Sequence, residues 1–140
     1  LATLVFDSYV EDNIEGRVIW GTDTFYVLLT TSSYTPDKKT HTKRSDVTNE
    51  VPNGSGYTTG GQAVTPTVTL DTANDRVDIT FADVTWGAST ITARQSVIYK
   101  RRGGASSADE LVAVSDFGSN ISTTAGTFTL DFTGPLRYQN

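Results

Sequence analysis

The one histidine of this chain, His41, is the first place to look for acid–base chemistry, because imidazole changes charge near neutral pH. It stands between Thr40 and Thr42 in a polar stretch, and a general base needs an orienting carboxylate and a nucleophile around it. The glycine-flanked serines, GSG at 54–56 and GAS at 87–89, do not sit in the pattern of a nucleophile elbow, so His41 reads as a solvated loop residue. Asp71, Asp75 and Asp78 gather around the segment TAND and carry the oxygens a hard cation takes. Their spacing matches no calcium loop and lacks a glutamate arm, so Asp and Asn there read as turn formers bonded to their own backbone.

Three further patterns are weaker. SDFG at 115–118 shares letters with a kinase metal loop, but no phosphate-binding loop or lysine strand accompanies it, and it reads as a strand end. GSGYTTGG at 54–61 lacks the lysine and helix entry of a phosphate cradle and reads as a flexible turn, with Tyr57 either presented or tucked beneath it. Trp20 and Trp86, extended by Tyr34, Tyr57 and Tyr138, could form a platform for stacking sugars. Trp86, after DVT at a strand end, reads rather as a core or rim anchor, and Trp20, between Ile19 and Gly21, fits either role. The expectation is a chain with no catalytic residue, no metal and no cofactor, and not an enzyme.

Contact chemistry is better represented. Lys38, Lys39, Lys43 and Arg44 cluster around His41, and Lys100, Arg101 and Arg102 lead into a glycine turn. The second group reads as a solubilising hairpin tip or as a contact to acidic groups on a neighbouring subunit, since arginine is enriched at interfaces. With 16 acidic and 11 basic residues the net charge is -5, which argues against a surface built to neutralise a phosphate backbone. Nucleic acid is not an expected partner.

The elements that must position these residues follow from composition. A chain of 140 residues suits one domain and is long enough to bury a real core. There is no cysteine, so stability rests on packing and sheet hydrogen bonds. Abundant Thr, 12 glycines and scarce Lys and Glu favour half-buried pleated surfaces. The longest apolar run, 25–29, is far short of a membrane span, and the N-terminus lacks the basic-then-apolar pattern of a secretion signal. This predicts a soluble, unexported chain with no membrane partner. No Met is present, so Leu1 is not the translation start, and either an initiator or a longer leader precedes it.

Apolar residues at Phe6, Tyr9, Val10 and Ile14, ahead of Gly16, predict one short helix at 7–15. TFYVLLTT at 24–31 reads as a buried strand, and strands are expected at 62–71, 76–82, 90–100, 111–117 and 126–132. The segments TAND, WGAS, RRGGASSADE and GSNISTTA read as the connections. In 90–100 the alternation is expected to put Ile91, Ala93, Gln95, Val97 and Tyr99 on a buried face, and Thr90, Thr92, Arg94, Ser96 and Ile98 on a polar one. The polar stretch 32–61 is longer than loops usually are and reads as a working surface. Regular short strands without helical patterns between them predict an all-β antiparallel sandwich in a single domain, 1–140, with an N-terminal arm and helix (1–16).

The blocks LLTTSSYTPDKKTHTKRSDVTNEV, GSGYTTGGQAV, DVTWGASTITARQSVIY and LVAVSDFGSNISTTAGTFTL, with Leu136 and Arg137 near the end, resemble a family of short proteins of tailed bacteriophages. Members of this size resemble head decoration or cement proteins, β-sandwich subunits on the outside of an icosahedral shell that bridge neighbouring capsomers. The resemblance implies a jelly-roll-like order, the major capsid protein as partner, a homodimer or other homo-oligomer on the shell, and a place in the virion after synthesis in the bacterial cytoplasm. It marks no catalytic residue. Composition then suggests three contact segments: Leu1, Leu4 and Phe6 at the N-terminus; Lys38, Lys39, His41, Lys43 and Arg44 in the polar loop; and Arg137 and Tyr138 in the tail. Arg101 and Arg102 join them. The rival readings are a tail or fibre adaptor that binds receptors, and a carbohydrate-binding module.

Overall fold

The computed structural model describes residues 2–132 and 134–140. Ten strands and one helix follow in the order β1 (Ala2–Val5), α1 (Asp7–Ile14), β2 (Phe25–Thr30), β3 (Gln62–Val64), β4 (Pro66–Asp71), β5 (Arg76–Phe81), β6 (Val84–Ser89), β7 (Thr92–Lys100), β8 (Leu111–Ser122), β9 (Gly126–Leu130) and β10 (Leu136–Gln139). The described strand pairs are all antiparallel, so the all-β expectation holds. The sheets have five, three and two strands, in the orders β1-β8-β7-β2-β3, β10-β5-β4 and β6-β9, and do not divide as the two Greek-key sheets of a jelly roll would.

The five-stranded sheet is the spine. Phe25, Val27 and Leu29 of β2 enter one apolar cluster, while Leu28, between two of them, enters a second on the opposite face. The first cluster is closed by the β6-β9 ribbon through Val84, Trp86, Phe128 and Leu130. The second is closed by Phe6, Tyr34 and Leu111, with Val47 packed against it. A strand covered on both sides explains why TFYVLLTT reads as a continuous apolar run.

The strand β7 departs from simple alternation. Ile91, Ala93 and Ile98 lie in the first cluster, whereas Val97 and Tyr99 lie in the second. The face changes because the register against β8 jumps from Ala93↔Ile121 to Gln95↔Asp116, leaving Phe117 to Asn120 as extra residues on β8. Ser96 and Ile98, expected on a polar face, are buried, Ile98 in the first cluster.

Four other expectations change. Strand β8 runs on to Ser122, so GSNIS of the expected connection GSNISTTA is strand. The stretch 62–71 is two strands, because the chain leaves the five-stranded sheet at Thr65 and joins the three-stranded one at Pro66. WGAS is part of β6 and carries a bulge between Trp86 and Ser89, where Ala88 adopts a φ of 47°. The C-terminal tail is a strand, β10, paired with β5. The helix matches expectation to within one residue, its last turn closed by Gly16 at a φ of 77°.

Candidate functional site

Several of the cations singled out by sequence are paired with other groups of the chain. The long stretch after β2 folds back over Tyr99 and makes a short 3-10 turn at Arg44–Asp46. Arg44 Nε donates to Asp109 Oδ2 at 2.8 Å, its guanidinium lies 5.1 Å from the Tyr99 ring centre, and Asp109 is fully buried. Arg102 grips the buried Glu110 with two hydrogen bonds of 2.8 and 2.6 Å. Burial pushes the Glu110 carboxyl up, and the Arg102 fork outweighs it and holds the group below the usual carboxylate range. Arg101 lies 4.3 Å from the Tyr26 ring centre.

His41 acts as a clasp. Its ring stacks on Tyr34 at 5.7 Å, and Nδ1 accepts from the Asp37 N–H at 3.2 Å and lies 3.0 Å from the Tyr34 hydroxyl. Asp37 accepts in turn from the N–H groups of Lys39 and Thr40, which hold its carboxyl below the ordinary range. The backbone of Lys43 is bound to Asp46, and Lys43 forms an isolated bridge to Glu110. In the tail, Arg137 forms a two-pronged pair with Asp78 of β5, and the Tyr138 hydroxyl bonds those of Tyr9 and the side chain of Asn13. Phe6 is fully buried in the second cluster, a correction to its expected role as a contact. Leu1 lies outside the described residues.

The aromatic platform is not assembled. Trp86, Tyr57 and Tyr34 are each buried to 2% exposure or less, and Trp20 stacks on Phe25 at 4.2 Å while its Nε1 donates to Tyr9. Asp71 and Asp78 both pair with Arg76, and among the described residues there is no cluster of three or more metal-ligating side chains.

One face that remains open to a partner is built from two segments that are distant in sequence. The strand β1 is an outer strand of the five-stranded sheet, paired on one side only, with β8. Because Phe6 N–H donates to Val112 O at 3.1 Å, the antiparallel alternation turns the backbone groups of Leu4 toward β8 and those of Thr3 and Val5 outward. Beside that edge, Lys38 and Lys39 stand exposed on a single helical turn, pinned by the Asp7 N–H to Lys38 O bond of 3.0 Å. A shallow groove on the adjoining sheet face is lined by Thr3, Leu4, Pro36, Gln95, Val114 and Asp116. Sequence marked the lysines and Leu4 separately, but their meeting depends on β1 pairing with β8, across more than 100 residues of chain.

No family model, curated protein or solved structure matches this chain. The functional argument therefore rests on this face. An outward row of N–H and C=O groups can accept an added strand, the half-buried Leu4 offers an apolar seat, and the ammonium groups of Lys38 and Lys39, which form no ion pair among the described residues, suit acidic side chains. Chemically, such a face can dock an extended acidic segment. Among the described residues no helix is long and apolar enough to cross a membrane.

Proposed function

We propose that this chain is a structural protein of a tailed-phage virion, which binds the outer surface of the capsid and cements neighbouring capsomers of the major capsid protein. The observation that supports the reading is the joint face of the free β1 edge and the Lys38–Lys39 turn, held together by the Asp7–Lys38 backbone bond. A subunit that touches both sides of a capsomer seam adds binding free energy that is lost before the seam opens, so shell stability rises by linkage. Where two linked copies bind, the second contact forms at an effective concentration on the order of millimolar, and weak individual contacts suffice.

Binding of the purified protein to empty shells tests this face. Reversing both charges with Lys38→Glu and Lys39→Glu weakens binding by about tenfold or more and reduces its salt dependence. Thr3→Pro removes one outward donor while sparing the β8 ladder, and weakens binding with an unchanged circular dichroism spectrum. Shell binding that survives both changes at full strength overturns the assignment of the face, and no shell binding by the parent protein overturns the function.

A further inference from the structure

A cavity of about 110 Å³ lies between the five-stranded sheet and the segment that joins β9 to β10. Its sheet wall is made of two neighbouring cross-strand rows. Thr3, Ser115 and Ser96 are opposite one another on β1, β8 and β7, and two residues along Ala113 is opposite Ile98. Directly opposed residues stand on one face of a sheet, so these side chains all rise toward the same side. The facing wall is apolar. It holds Phe81 and Phe132, whose ring centres are 5.3 Å apart, with Leu130 and Leu136. The buried Ser96, Ile98, Ala113 and Leu130 form the floor, and the exposed Thr3, Asp131 and Gly134 form the rim.

Ser96 is the anomaly in that floor. It is 1% exposed, and its Oγ has no hydrogen-bond partner among the described residues. On its other side the row continues into Leu29 of β2, which has no polar side-chain atom to offer. A buried hydroxyl left unbonded costs more than the same hydroxyl contributes when bonded, and such groups are rare enough to call for a reason. Water answers poorly here. A space of this size holds about three or four waters, each seeking two to four bonds, and Ser96 and Ser115 are the polar side chains beside the apolar floor. Poorly bonded water is displaced with a gain in affinity by an apolar group.

We infer that this cavity binds a small neutral molecule with one hydroxyl and a compact apolar body, of the size and kind of phenol. The hydroxyl bonds Ser96 Oγ, and the ring lies against Phe81 and Phe132. A hydroxyl both donates and accepts, so it completes an unpartnered serine whichever way that serine turns. Size follows from volume: apolar cavities of roughly 150 Å³ take up benzene, and this one, open at its rim, has room for a single ring. Charge excludes ions. Among the described residues no cationic side chain lines the cavity, Asp131 stands at its rim, and burying an uncompensated charge against apolar walls is costly. This binding is a property of the isolated chain and holds whether or not the chain coats a shell.

Phenol and toluene separate the hydroxyl from the body, because they have equal numbers of heavy atoms and differ by hydroxyl against methyl. Titrated into the isotope-labelled chain, phenol is expected to shift the backbone amide resonances of Ser96, Ile98 and Ala113 in a saturable way, with a dissociation constant on the order of 1 mM. Benzoate, a similar ring carrying a charge, is expected to bind at least about tenfold more weakly. Ser96→Ala removes an unbonded buried hydroxyl, so it is expected to be at least as stable as the parent and to lower the ratio of phenol to toluene affinity about tenfold. Ala113→Leu fills the floor and is expected to abolish the binding of both, with circular dichroism unchanged. Amide shifts that stay linear to about 10 mM phenol, or a phenol-to-toluene ratio that Ser96→Ala leaves unchanged, overturn the inference.

Discussion

Replacing Arg44 with Met separates a structural cation from a contact residue. Arg44 is 19% exposed and its partner Asp109 is fully buried, so the substitution leaves a carboxylate in the interior with only the Arg102 N–H, at 2.9 Å, still donating to its side chain. Removing one partner of a buried pair costs about 3–5 kcal/mol, and the partial exposure of Arg44 places this case near about 3 kcal/mol. A chain of this length holds roughly 7–20 kcal/mol in total, so Arg44→Met still folds, with a melting temperature lower by about 10 °C. Lys39→Met, at an exposed position, is expected to stay within about 0.5 kcal/mol of the parent. Urea denaturation of both variants, and of Arg44→Met combined with Asp109→Asn, gives the comparison. The double variant is expected to lose less than the two single losses added together, by about 1–3 kcal/mol. An Arg44→Met protein as stable as the parent would refute the buried-pair reasoning and return Arg44 to the contact surface.

Gly61→Ala is expected to destabilise by more than about 4 kcal/mol, because φ is 79° and an added Cβ would lie 1.8 Å from the Val27 carbonyl oxygen. Denaturant midpoints check this, and a loss below about 1 kcal/mol would contradict the close approach of the loop to β2. Acid weakens the fold: Asp46 is held low by the Thr42 and Lys43 N–H groups, and Asp116 by Arg94. Their folded values are depressed, so this stability is full above the unfolded value of about 4 and is lost as pH falls through the lower folded values. Asp46→Asn flattens that loss in urea titrations below about pH 4, and an unchanged slope refutes it. At the alkaline end, burial pushes Tyr34 and Tyr99 up to about 12, with Arg44 and Arg101 pulling Tyr99 partly back, and burial also raises Tyr9 and Tyr57. Their stabilisation is full below about pH 10 and fades as pH rises through the folded values, so all four stay un-ionised at about pH 11 by ultraviolet absorbance. Ionisation of all six tyrosines there, with the fold intact, would refute their burial.

The local chemistry of the fold was legible where one element carries its own signal. Helix α1 follows from its apolar spacing and Gly16, and β2 from a run of branched and aromatic residues. Signals that depend on pairing were not legible. The face change in β7 comes from extra residues on β8, and nothing in the letters of 90–100 announces it. WGAS reads as a turn because Gly and Ser are there, yet the bulge at Ala88 lets it continue as a strand whose Trp86 fills the core. The stretch 32–61 is polar in composition, but Tyr34, Val51 and Tyr57 anchor it to two different clusters, so it is a cover packed at those points with exposed segments between them, the Lys38–Lys39 turn among these. Arg44, Arg101 and Arg102 read as free charge because their partners, Asp109, Glu110 and two tyrosine rings, come from elsewhere in the chain.

The proposed role is tested most directly by counting copies of this chain per purified particle, by quantitative staining against the major shell protein. Capsid cementing predicts about one copy per shell subunit or a simple fraction of it, with particles that lack the chain opening at lower temperature or under milder osmotic shock. A handful of copies per particle, or none, would contradict the account, and the former would move the chain to the tail or its fibres.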